Sequence, residues 1–139
     1  MKKDFVSNKV AKLLKAAGFN ELCVMVYSTQ GDLYECFELF GQLYGRMTNA
    51  VVMSIVGRHN VQPVTAPTIS SAVRWLAEGH NIYLDTAMVV SVDGKIMYDY
   101  TIHDGKQMIE NRLTELFETR EAAYDFALQH ILKDLLKLN

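Results

Sequence analysis

Two cysteines in 139 residues, Cys23 and Cys36, are too few for a disulfide-stapled scaffold. Both lie in apolar runs, where cysteine behaves as a small hydrophobe. Long hydrophobic runs are also missing. Stretches such as 50–53 (AVVM) fall far short of the about 20 residues that a membrane-spanning helix needs. The basic N-terminus, MKKDFVSNKVAKLLKAAGF, does not read as a secretion signal, because Lys9, Lys12 and Lys15 interrupt any apolar stretch. A cytoplasmic protein without a membrane partner is expected. No glycine-rich phosphate loop is present, since Gly41, Gly45 and Gly57 have the wrong spacing. GxSxG and HExxH are absent. The four histidines, at 59, 80, 103 and 130, are scattered singly, whereas metal sites usually show a close ligand pair. Neither metal nor cofactor is expected. No low-complexity linker divides the chain, so one domain over 1–139 is expected.

What is present is ordinary globular material. Half the residues are hydrophobic and 22% are charged, and mean hydropathy is close to zero. That composition can bury a core and argues against disorder. The net charge of −2 is unevenly spread. Residues 1–20 hold five lysines and one aspartate, a net of +4. Residues 67–105 hold Arg74 and Lys95 against Glu78, Asp85, Asp93, Asp99 and Asp104, a net of −3. A basic end on an acidic body can steer a partner, although a solvated helix face near a terminus is the simpler reading.

The most legible stretch is 67–104, a capped helix followed by a hairpin. Thr68 is placed to cap the helix, Ile69, Ala72, Val73 and Leu76 form its buried stripe with Trp75 flanking, and Gly79 is the expected stop. The two strands that follow can be registered by parity. A two-residue Asp93-Gly94 turn would set Met88 against Asp99 and mix the faces. A three-residue loop over 92–94 pairs 90 with 96, 88 with 98, 86 with 100 and 84 with 102, which keeps one face apolar. It also puts Gly94 at the left-handed position of a G1 bulge, so the bulged hairpin is expected.

Elsewhere the periodicities predict a first helix over 7–17, capped by Ser7 or Asn8 and ended by Gly18 with Phe19 supplying the hydrophobic contact. A strand is expected over 22–27 (LCVMVY), and a returning strand over 33–40, with helix over 32–44 as the alternative. The β-branched run 50–56 reads as a strand and 57–65 as a loop. Residues 106–118 fit either a short helix or a strand beside the hairpin. A long C-terminal helix follows the Thr119 cap, with Tyr124, Leu128, Ile131, Leu135 and Leu138 inward and Glu121, Asp125, Gln129, Lys133 and Lys137 on the polar side. Segments 12–34 and 74–98 share one order, helix, glycine stop, strand, glycine turn, strand, which suggests two helix-hairpin halves. The expected fold is α+β: an antiparallel sheet of about four to five strands, three or more helices on one face, and the long C-terminal helix.

Residues with possible site chemistry are few. Cys23 could act as a nucleophile with His80 or His103 if the fold brought them together, but a buried structural cysteine is the simpler reading. Tyr83, Tyr98 and Tyr100 with Trp75 could form an aromatic ligand patch, although aromatic residues on strands more often belong to the core. The helix and hairpin suggest a winged-helix reader of nucleic acid, but Arg74 and Lys95 are the only cations they offer, and phosphate contacts need cations. No catalytic set is assigned.

The segment APT…WLAEGHNIY, carried by Ala66, Pro67, Thr68, Trp75, Leu76, His80, Asn81 and Ile82, resembles small uncharacterised proteins of gut Bacteroidetes and their phages and mobile elements. KLLKAAGFNELC over 12–23 resembles the N-terminal K-L-L-K-x-x-G-F-D-E-P-C of the same proteins. Ala77 replaces their basic residue, Leu22 replaces their proline, and 35–62 follows a different pattern. The resemblance implies a lineage and no catalytic residue. The expectation that follows is a non-enzymatic binding or adaptor module with a protein partner or self-association. A small-molecule-binding protein or enzyme using a pocket near Cys23 and His80 is the alternative, and weak nucleic-acid binding through the Lys-rich first helix is the second alternative.

Overall fold

A computed structural model describes residues 4–57, 63–111 and 116–136. The fold is α+β, as expected, with five helices and six strands among these residues. The first helix, α1 (Asn8–Ala16), starts where the Ser7 hydroxyl accepts the Val10 amide at 3.2 Å. Its end is a Schellman motif. Gly18 takes a φ of 94°, its amide donates to Lys15 O, and the Phe19 amide donates to Leu14 O. Phe19 is then buried against Leu14 and Val10.

The chain continues through β1 (Met25–Tyr27), β2 (Leu33–Glu35), α2 (Cys36–Phe40), a 3₁₀ turn at Gln42–Tyr44, α3 (Asn49–Val56) and β3 (Val64–Ala66). Next come α4 (Ile69–His80), β4 (Tyr83–Val90), β5 (Ile96–His103), β6 (Met108–Asn111) and α5 (Arg120–His130), which ends in a π-helical turn at Ile131–Leu135. The expected single sheet of four to five strands is instead two antiparallel sheets of three, ordered β2-β1-β3 and β4-β5-β6. No described helix is long and apolar enough to cross a membrane.

The two sheets are covered differently. In β1 every residue is buried. Met25 and Tyr27 face the main core, with α1 and α4, whereas Val26 joins a second, smaller core with Cys36, Met47 and Val52. The unbroken apolar run of this strand thus reflects burial on both faces. In the second sheet the even positions Leu84, Tyr100 and Ile102 are buried, with Leu128 and Ala127 of α5 in the same core. Toward the hairpin tip that face opens, leaving Met88, Val90 and Ile96 exposed, so the apolar face is half-covered.

The hairpin register is the one expected, with Val90 opposite Ile96, Met88 opposite Tyr98, Thr86 opposite Tyr100 and Leu84 opposite Ile102. Gly94 has a φ of 83° and its amide donates to Ser91 O. The β1–β2 hairpin repeats this turn: Ser28 N donates to Asp32 O as Ser91 N does to Lys95 O, and Gly31 at φ 86° matches Gly94. The two helix-hairpin halves therefore share their turn geometry. They differ in where the third strand adds, beside β1 in one sheet and beside β5 in the other.

Several expectations are corrected. Residues 50–56 are helix, not strand. Thr48 caps α3 by accepting the Val51 amide, and the Asn49 side chain donates to Phe19 O and accepts the Thr65 amide, both at 3.0 Å. These buried bonds outweigh the β propensity of Val51, Val52, Ile55 and Val56. The 57–65 loop contains the start of β3 at Val64, and its residues 58–62 lie outside the described residues. The 33–40 segment is part strand and part helix: Cys36 starts α2 after a capping box between Glu35 and Glu38. Within 106–118, residues 108–111 form the strand β6, and 112–115 lie outside the described residues.

The stop of α4 also shifts. The helix runs through Gly79 to His80, and Asn81 takes the left-handed turn at φ 55°. Its Nδ2 donates to Asp104 O at 2.7 Å, tying the helix end to the β5–β6 turn. That turn is shaped by Asp104, whose carboxylate accepts the Lys106 and Gln107 amides, and these bonds hold its pKa below the usual carboxylate value. In α5, Thr119 caps as expected by accepting the Ala122 amide. Leu128 and Ile131 are buried, whereas Leu138 lies outside the described residues. Asp125, expected on the polar face, is instead half-buried and accepts the Ser7 hydroxyl at 2.6 Å.

The double role of Asn81 is separable. Asn81→Gly keeps the left-handed backbone and loses the side-chain bond, and is expected to cost about 1 kcal/mol. Asn81→Ala loses both, and is expected to cost about 2–3 kcal/mol. Urea denaturation of the two variants measures the difference; equal losses would show that the backbone conformation contributes nothing.

Candidate functional site

The sequence-predicted site residues do not converge on one place. Cys23 is buried at the entry to β1, where its backbone pairs with Met47. Burial pushes its thiol up to about 11, so it is a protonated core group at neutral pH rather than a ready nucleophile. Cys36 sits in the second core and burial likewise raises it to about 11. Its Sγ lies 3.3 Å from Cys23 O. The two thiols face different cores, since Cys23 packs with Met25 and Tyr27 in the larger one.

Cys23 lines a cavity of about 200 Å³ together with Phe19, Glu21, Arg46, Thr68, Ser71 and Arg74, among others. His80 does not line it. Arg74 approaches Glu21 at 3.7 Å, a well-solvated pair of the kind that contributes little. Trp75 and His80 form a separate feature on α4. The imidazole meets the indole edge-on with ring centroids 4.7 Å apart, and the indole in turn meets Phe19 at 5.5 Å. His80 thus covers one side of a half-buried tryptophan.

The three tyrosines are also separated. Tyr100 is wholly buried and packs against Phe117 and Phe126, with centroids at 6.3 and 6.1 Å, so it is a core residue and not part of a ligand patch. Tyr98 is partly buried beneath the Arg120 guanidinium, 5.5 Å from its ring centre, and its backbone bridges to Phe117. Tyr83, at an odd position, faces the other side of the sheet and is exposed. Among the described residues no group of three or more His, Cys, Asp or Glu is placed to hold a metal ion.

Two surfaces not singled out by the sequence are better formed. The first is a cleft of about 330 Å³ where the start of α1, β1, the start of α4 and α5 meet. Tyr27 donates its hydroxyl to Val6 O at 2.7 Å on its floor. Asp125 accepts Ser7 Oγ on one oxygen and Gln129 Nε2, at 2.8 Å, on the other. Burial, and then the charge of Asp125, raise the Tyr27 phenol. Ser7 was legible as a helix cap. Its second bond, to a residue 118 positions away, leaves no local signal.

The second surface is the outer side of α2 and α3. Their shared core is small, and Phe37, Leu39, Leu43, Tyr44, Val51, Met53 and Ile55 are left exposed, Leu43 at 94%. A shallow, mostly apolar cavity at Phe19, Asn20, Ala50 and Met53 adjoins it.

The arrangement defines an α+β protein of two three-stranded antiparallel sheets. No protein-family model, curated protein or solved structure matches the chain.

The buried thiols make a pH prediction. Each is raised from 9.0 to about 11 on folding, so above pH 9 the unfolded chain releases protons that the folded chain keeps. Their contribution to stability is complete below pH 9 and is lost as the pH rises through about 11. Denaturant midpoints measured across this window are expected to fall, and to fall less steeply in a Cys23→Ala, Cys36→Ala double variant. Rapid alkylation of either thiol in the folded protein at neutral pH would contradict the assignment.

Proposed function

We propose that the protein is a non-enzymatic binding module that docks a protein partner, a second copy of itself included, on the outer side of α2 and α3. The observation that carries this is the composition of α3 against its burial. NAVVMSIV holds no charged residue and only two polar ones, Asn49 and Ser54, a composition that calls for burial around most of the helix. Only Asn49 and Val52 are buried, while Val51, Met53 and Ile55 are exposed. Phe37, Leu39, Leu43 and Tyr44 are also exposed, in the segment that shares its core. Contiguous exposed apolar surface of this kind marks interaction sites. The resemblance to proteins of Bacteroidetes phages and mobile elements supports a partner from that setting. The buried, protonated Cys23 and the separation of His80 from its cavity favour binding over catalysis at the alternative site.

Val51 and Ile55 stand one turn apart on α3, so Val51→Lys with Ile55→Lys interrupts the surface while changing stability little, by about 0.5 kcal/mol or less. A photo-crosslinking residue at position 53, in cells carrying the neighbouring genes, is expected to give a defined adduct that the double variant loses. The same residue at position 78, on the exposed side of α4, is expected to give none. Equal labelling from both positions, or an adduct indifferent to the double variant, would sink the reading; sedimentation equilibrium identifies the case in which the adduct is a homodimer.

A further inference from the structure

We propose that the cleft between the start of α1 and the first turns of α5 is a binding site for an organic cation, an ammonium or guanidinium group carried on an apolar arm. It lies apart from α3 and does not depend on the docking surface proposed above.

The walls and the charges of this cleft are chemically unlike. Phe5, Val6, Ile69 and Leu128 supply apolar surface, and Tyr27 adds a second aromatic ring. Among the described residues, the only charged groups that line it are the carboxylates of Glu121 and Asp125. Its volume of about 330 Å³ falls at the small end of sites for small molecules, which are mostly apolar with a few convergent polar groups.

The internal bonds of the fold do not use up these carboxylates. Asp125 accepts one hydrogen bond on each oxygen, from Ser7 and from Gln129, and a carboxylate can accept about four. Neither of those donors is a cation. Glu121 has no hydrogen bond or ion pair among the described residues, and it is placed one turn before Asp125 on the same helix. Like charges at that spacing repel, and a cation seated between them removes the repulsion. Burial first, and then the charge of Asp125, raise the Tyr27 phenol.

Among the described residues, no cation is paired with either carboxylate. The adjoining cleft shares Ile69 and Glu121 and adds Asp4, Thr68, Ser70, Tyr124 and Arg120. Arg120 is the one described cation there, and its guanidinium lies over the Tyr98 ring. An anion in the cleft would meet Glu121 and Asp125. A neutral apolar ligand would fill the walls but leave the carboxylates unanswered. A cation with an apolar arm satisfies both, and Phe5 and Tyr27 add aromatic lining of the kind that favours cations.

The test is a titration of the ¹⁵N-labelled full chain followed by NMR. 2-Phenylethylamine is the probe, 2-phenylethanol its uncharged counterpart, and an acetylated, amidated Phe-Lys dipeptide presents the same ammonium on a side chain. The amine is expected to shift the amides of 5–7 and 121–128, and the alcohol to bind about tenfold more weakly. Glu121→Gln is expected to reduce amine affinity severalfold while leaving the spectrum of the free protein otherwise in place. Asp125→Asn, which can still accept the Ser7 hydroxyl, serves as the second variant. Tighter binding of the dipeptide would point to a basic side chain of a peptide as the natural ligand, and preference for the free amine to a small molecule. Equal affinity for amine and alcohol, no shifts at these amides, or an amine affinity unchanged in both variants would overturn the proposal.

Discussion

The structure depends on α5 closing the buried face of the second sheet. Tyr100 and Ile102 on β5 and Leu84 on β4 need cover, and α5 supplies it with Ala123, Ala127 and Leu128. Two alanines on the inward side let the helix sit close to the strands, so that large residues of the sheet fill the space between them. Tyr100 is thereby enclosed with Phe117 and Phe126. Full burial of one such side chain is worth about 1.5–3 kcal/mol. The same helix then meets α1, where Ser7 joins the cap of one helix to the side chain of Asp125 on the other. Chain ends more than a hundred residues apart are held in one core by this contact.

Within that frame the two halves are built alike and finished differently. Each runs from a capped helix through a left-handed stop into a hairpin with the same three-residue turn, at Gly31 and at Gly94. In the first half, the sheet lies between the main core and the small core of α2 and α3, so β1 is buried on both faces. In the second, the sheet is covered on one face and only near its base. Apolar surface remains where cover stops short: along α3, along the 37–44 segment and at the tip of the β4–β5 hairpin. The proposed partner surface is thus a consequence of how little material the smaller core has with which to cover itself.

The residues of the APT…WLAEGHNI segment fall into mechanical roles. Ala66 pairs with Met25, Pro67 O accepts the Val6 amide, and Thr68 caps α4. Trp75 and His80 meet edge-on, Leu76 is core, Asn81 turns the chain and Ile82 returns it to the core. The segment joins the first sheet to the second helix-hairpin half. A pattern of this kind serves the fold, and the carboxylates of Glu121 and Asp125 that line the cleft beside α1 lie outside it.

Features decided within a few residues were legible in the sequence. The caps at Ser7, Thr68 and Thr119, the Gly18–Phe19 stop and the hairpin register around Gly94 depend on hydrogen bonds and side-chain parity over one turn or one strand pair. Other features depended on partners brought from far away. The run 50–56 is helical because Asn49 is claimed by Phe19 and Thr65. The helix α4 outlasts Gly79 because Asn81 finds Asp104. Asp125 faces inward because Ser7 meets it from the other end of the chain. The division into two sheets follows from the same cause: β3 adds beside β1 and β6 beside β5, and no residue of either strand states locally which neighbour it will take. Sequence alone determined the local geometry of this protein, because short-range bonds constrain it there. Only the tertiary structure decided where its charges and bare apolar faces meet, because those depend on which distant segments compete for the same core.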